Sequence, residues 1–110
     1  MSISHAKPGE VVDVRPLGAA LATTATKVLF KTDETEVIRL VVPAGKDIPT
    51  HKAKGELIVQ CLEGKVAFTA LGETRELEAG QLLYLPVGEP HSVRGLVDGS
   101  LLLIVRLPKS

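Results

Sequence analysis

The sequence predicts a single all-β domain, a β-sandwich or small barrel, on three observations. Short runs of strand-forming residues, about nine of them, alternate with turn signals at spacings of roughly eight to twelve residues. No segment sustains a helical period: the best candidate, Leu17 to Thr26, contains Gly18 and three threonines, which weigh against a helix of any length. Apolar residues make up 45% of the chain but aromatics only 3%, so the core must be built from Val, Leu, Ile and Ala.

Taken in order, residues 1–10 read as a polar N-terminal arm, and Val11 to Val14 as a first short strand ended by Pro16. Thr26 to Lys31 and Thr35 to Val42 form a hairpin around Asp33-Glu34. Gly45 to Gly55 is a polar crossing marked by glycine and proline. Leu57 to Leu62 and Lys65 to Ala70 pair across a turn at Glu63-Gly64, and Gly72-Glu73 turns into Thr74–Leu77, whose alternation suits an exposed edge. Leu82 to Leu85 is too short for a helix and is closed by two prolines, which reads as a buried strand followed by a rigid turn. His91 to Val97, a turn at Asp98-Gly99 and the apolar run Leu101 to Leu107 complete the chain.

Composition excludes several functions. The 110 residues suit one domain burying roughly two-thirds of its unfolded surface. Thirteen basic and thirteen acidic residues cancel with no basic block, so no nucleic-acid partner is expected, since such a surface needs positive charge facing phosphates. The same neutrality makes self-association easy, and a homodimer is expected. No apolar run is long enough for a membrane span, and Met1 to Pro8 lacks the apolar core of an export signal. Cys61 is the single cysteine, which fits a reducing cytoplasm.

The chemistry-bearing residues lie in two glycine-framed segments. The first is Gly45-x5-His51, followed by Gly55-Glu56 and a run to Gly64; the second is Gly80-x5-Pro86-x-Gly88-x2-His91-x3-Gly95. Fifteen residues separate Gly64 from Gly80. In this the chain resembles the cupin superfamily, whose motifs read G-x5-H-x-H-x3,4-E-x6-G and G-x5-P-x-G-x2-H-x3-N. Gly80, Pro86, Gly88 and His91 match the second motif, and Gly95 stands where its final Asn belongs. The resemblance covers roughly residues 35–107, looks like that to small single-domain (cupin-2-like) members, and implies an RmlC-like jelly-roll barrel, a double-stranded β-helix. It also implies dimerisation.

The resemblance implies a metal held by two His and one Glu of the first motif and one His of the second. His51 and His91 occupy two of these positions, but Ala53 stands in place of the other His and Leu57 in place of the Glu. A catalytic site usually takes about three protein ligands and an open position. Glu56 is one residue out of register and faces inward only if Gly55 permits a bulge. Cys61 shares the parity of Leu57 but lies roughly 13 Å further along a strand, and Gln60 has the wrong parity.

The expected function is therefore a metal-poor barrel binding a small organic molecule, with His51, His91, Ala53 and Leu57 around its mouth. The alternative is an oxygenase- or isomerase-type enzyme with a weakly held divalent metal (Fe, Mn, Ni or Zn) on His51 and His91. Arg39, facing inward, would clamp a ligand carboxylate; facing outward it is an ordinary surface residue. Tyr84 either presents its hydroxyl to the pocket or packs in a core or interface. Cys61 reads as a small buried hydrophobe, Lys52 and Lys54 as solvated loop charges, and His5 as an exposed residue of the arm.

Overall fold

Two long strands organise the molecule, and neither is broken where the sequence predicts turns. The computed structural model describes residues 5–108. A 3-10 helix at Gly18–Thr23 precedes seven strands: β1 (Lys27–Lys31), β2 (Thr35–Val42), β3 (Asp47–His51), β4 (Leu57–Ala70), β5 (Glu73–Glu78), β6 (Leu82–Leu85) and β7 (His91–Arg106). The predicted turns at Glu63-Gly64 and Asp98-Gly99 lie inside β4 and β7, where the pairing register shifts. Gly64 has φ +73°, and a Cβ there would overlap the carbonyl of Asp98. Glu-Gly and Asp-Gly, which so often close hairpins, here kink two paired strands against one another.

Those kinks make two layers from one ladder. Below the kink, the first half of β4 and the last half of β7 pair with one another, with β6 beside β4 and β2 beside β7, and β1 completes that layer beyond β2. Beyond it, the second half of β4 pairs with β5 and the first half of β7 with β3. All pairs are antiparallel, and the result is a jelly-roll barrel.

Leu57, Val59, Cys61, Val66, Phe68, Ala70, Leu101 and Val105 fill the space between the layers. The inward positions of β4 are odd-numbered up to Cys61 and even-numbered from Val66. The shift at Leu62 therefore turns Glu63 out of the core face and sets it opposite Ser100.

Three expectations need correction. Val11 to Val14 is not a strand; Asp13 instead accepts hydrogen bonds from the backbone and guanidinium of Arg15, a local partner that replaces a ladder. The crossing from Gly45 to Gly55 contains a short strand, β3, whose proline and polar residues are tolerated because it is a mostly exposed edge. β6 is not a buried strand: Leu82 and Tyr84 are 61% and 70% exposed and only Leu85 is buried. Among the described residues no helix is long and apolar enough to cross a membrane.

Candidate functional site

β3 ends at His51 and β7 begins at His91, and the antiparallel register places these residues opposite one another. Side chains paired across strands share a face, so the two imidazoles meet, with centroids 4.2 Å apart and planes inclined by 61°. On its other side His91 pairs with Ala70 of β4. Phe68, two residues before Ala70, stacks on the His91 ring at 5.6 Å with planes within 9°. His91 is 4% exposed, whereas His51 is exposed at the rim.

The backbone fixes the tautomer of both rings. His51 Nδ1 lies 3.0 Å from the Pro49 carbonyl oxygen, and His91 Nδ1 lies 3.1 Å from that of Glu89. A carbonyl oxygen only accepts, so each Nδ1 carries the proton and donates it. In the neutral ring each Nε2 then holds a lone pair, and no protein group among the described residues bonds to it. Among the described residues no buried side-chain nitrogen or oxygen lacks a partner, so the His91 Nε2 is reachable from outside despite the burial of its ring. Burial pushes the His91 pKa down; the Glu89 carbonyl opposes this and a charge on His51 would add to it.

This site does not fit the metal centre that the cupin motifs imply. Two imidazoles are in place with their Nδ1 protons tied to carbonyls, the way metal-binding histidines are oriented, but the remaining positions offer no donor. Leu57 is 2% exposed and packs in the core, and Ala53 packs against that core. Glu56 is exposed and pairs with Arg106 at 3.7 Å. Gly55 does not bulge it inward; its missing side chain lets the chain pass against the backbone of Arg106. Cys61 is buried as expected, with its thiol directed at the Glu63 carbonyl and its pKa raised by burial. Among the described residues no three His, Cys, Asp or Glu side chains converge.

The other candidates do not join the histidines. Arg39 faces out of the core yet is 4% exposed, and the carboxylate it clamps is this chain's own. Its Nη2 donates to Glu63 at 3.0 Å, to Ser100 at 3.1 Å and to the Arg15 carbonyl at 2.7 Å. Glu63 also accepts from Ser100 at 2.6 Å and from the backbone of Leu17 and Gly18. Burial pushes the Glu63 carboxyl up, but Ser100, Leu17, Gly18 and Arg39 together hold it below its ordinary value. The network fastens the segment before β1 over the outer face of β2 and β7. Tyr84 lies opposite Ile58, on the outer face and not in the barrel. Lys52, Lys54 and His5 are exposed.

Sequence reasoning missed Phe68 and Glu63. Phe68 carried a signal, as one of two phenylalanines and in the strand that flanks β7. Glu63 carried none, because its face depends on the kink. The missing Asn of the second motif has a structural reason: a Cβ at Gly95 would overlap the carbonyl of Pro43, and Gly95 exchanges backbone hydrogen bonds of 2.9 Å with Gly45 and Lys46.

Comparison with known proteins agrees with this architecture. A conserved protein of unknown function from Streptococcus pyogenes superposes with a TM-score of 0.75 at 23% identity, covering 100% of this chain and 98% of that one. A cupin superfamily protein from Desulfitobacterium hafniense gives 0.76 at 18% identity, covering 94% and 100%. A predicted oxalate decarboxylase from Thermotoga maritima gives 0.66 at 25% identity, covering 76% and 79%. A search of curated proteins finds no match. The model of the cupin domain matches residues 38–105, and with the barrel and the motif glycines in place the chain belongs to the cupin superfamily.

Proposed function

We propose that this cupin binds a small organic molecule at the barrel mouth through His51 and His91, without the four-ligand metal centre of its family. One observation carries the reading: in two neighbouring rings both Nδ1 protons are spent on backbone carbonyls, which leaves each Nε2 without a protein partner among the described residues and free to accept from a ligand. Burial holds the His91 pKa below its ordinary value, which favours the neutral ring with its Nε2 as an acceptor. It suits ligands carrying hydroxyl or ammonium donors and offers no fixed charge to a carboxylate or phosphate. Phe68 backs the site with an apolar face, and Ala53 and Leu57 bring apolar side chains where the family has donors. Apolar walls with a few fixed polar groups are the common make-up of small-molecule sites.

The test is side-chain nitrogen NMR of His51 and His91 while small polyols, sugars and amines are titrated in, beside metal analysis of protein purified without a chelating column. Saturable shifts of both Nε2 signals with a metal-free protein support the proposal. Stoichiometric iron, manganese, nickel or zinc, lost in both His51→Ala and His91→Ala, would overturn it in favour of a metal-dependent enzyme.

A further inference from the structure

Three connections meet at the rim beside the histidines. His51 ends β3, His91 begins β7 and Ala70 ends β4; they stand in one row, which Glu73 of β5 completes. The loop 52–56 leaves that row from β3, the loop 86–90 enters it at β7, and Leu71-Gly72 closes the hairpin from β4 to β5. Two of these connections carry a bare aliphatic side chain: Leu71 is 54% exposed and Val87 66%.

Leu71 is costly to the fold in two ways. A two-residue hairpin with positive φ at both central positions favours Asn, Asp or Gly, and φ is +55° at Leu71 and +77° at Gly72. Among the described residues Leu71 is the one non-glycine with positive φ. Its bulky side chain crowds the backbone there and has no polar atom to bond locally. Core packing does not offset this strain, because more than half of the side chain is in water. Local strain of this kind gathers where ligands are held. Val87 lies in the turn that the Glu89 N–H closes onto the Pro86 carbonyl at 3.3 Å, with Gly88 at φ +74°, and that turn runs directly into His91.

We infer that Leu71 and Val87 select the ligand of the histidine pair, and that this ligand is an aliphatic alcohol. Its hydroxyl head donates to the Nε2 of His51 or His91, and its hydrocarbon tail leaves the mouth against Leu71 and Val87. The inference rests on the binding role proposed for the two histidines and adds the chemical class of the ligand. The charges on the rim favour a hydroxyl over an ammonium head. Glu56 and Glu73 pair with Arg106 and Arg75, whereas among the described residues no carboxylate pairs with Lys52 or Lys54. Of the rim carboxylates that leaves Glu89 against two lysines, a balance that repels a cation.

The experiment titrates 1,2-diols of increasing length, from propanediol to octanediol, into the wild-type chain, Leu71→Asn and Leu82→Asn, with the histidine side-chain nitrogen signals as readout. Leu82 is equally bare, at 61% exposure, but lies in β6 on the outer face and controls for unspecific apolar binding. Wild-type affinity should rise about twofold per added methylene, where complete burial would give about fourfold. Leu71→Asn should flatten that series, and Leu82→Asn should keep it. Because Asn tolerates positive φ, the urea midpoint of Leu71→Asn should be no lower than that of the wild type. Shifts that do not grow with chain length, a series unchanged by Leu71→Asn or lost equally in Leu82→Asn, or hexylamine binding better than 1,2-hexanediol would each overturn the inference while the histidine site stands. So would a lower midpoint for Leu71→Asn, which would mark the side chain as structural. If no diol, sugar or amine shifts either ring, the histidine site falls and this inference with it.

Discussion

Arg39, Glu63 and Ser100 form one polar cluster of this barrel, and His51 and His91 form the other; both include a side chain that is only 4% exposed. In the first, the Glu63 carboxylate takes hydrogen bonds from four groups, Leu17, Gly18, Arg39 and Ser100. Nothing remains for a ligand. In the second, each ring spends one nitrogen on a carbonyl and keeps the other. A buried charge is tolerable only with all its partners present, and a satisfied network of that kind holds structure together. A site for chemistry has to leave bonding capacity unspent. Arg39 read from the sequence as either a ligand clamp or a surface residue, because the residue type fits both; its partners decide.

The sharpest way to break the comparison is to remove Glu63. Glu63→Ala strands the Arg39 charge and frees the segment before β1, and should cost about 3–5 kcal/mol, read as a lower urea midpoint and faster proteolysis near Gly18. The His51 and His91 nitrogen signals should be unchanged in the folded fraction. Gly95→Asn, which restores the family residue, forces a side chain onto the Pro43 carbonyl and should cost about 1–3 kcal/mol or more, checked by the same unfolding curve.

The histidine cluster should respond less in stability and more in binding. His91→Ala loses a buried ring and its stack on Phe68, worth about 1–3 kcal/mol. His51→Ala, at the rim, should stay within about 0.5 kcal/mol. Each should abolish the ligand-induced shift of the remaining ring, which Glu63→Ala should not.

Acid separates the clusters by smaller steps. The folded pKa of His91 is lowered, so the unfolded chain takes up that proton first. Its contribution is complete above about pH 6.5 and is lost as pH falls from there. The Glu63 pKa is also lowered, so its contribution is complete above about pH 4.3 and is lost on further acidification. Stability measured against pH should show both declines, with His91→Phe removing the upper and Glu63→Gln flattening the lower.

The strands themselves were largely legible. β1, β2, β5, β6 and both halves of β4 and β7 appear in the sequence as apolar runs or alternations between turn signals. The meeting of His51 and His91 was foreshadowed by the resemblance to the cupin motifs, which puts both at ligand positions; the antiparallel register of β3 and β7 is what sets them opposite one another. Local residue order could not show that Glu63-Gly64 and Asp98-Gly99 are kinks and not turns. Either reading satisfies the φ that Gly64 demands, and only the approach of the two strands selects one.

Sequence alone thus determined an all-β domain with a Val-, Leu- and Ile-rich core, through side-chain chemistry and a two-residue period that runs along each strand segment. The jelly roll, and a mouth with two histidines but without Ala53 or Leu57 as donors, were implied by the resemblance to the cupin motifs. The tertiary structure decided which face each polar or aromatic group took. One extra residue at Leu62 changes the parity of β4, which sends Glu63 outward to Arg39 and turns Phe68 inward to His91. The pairing of β6 with β4 puts Leu85 in the core and Tyr84 outside it. A period of two carries no memory across a bulge, and so the side of the sheet is settled only when the strands pair.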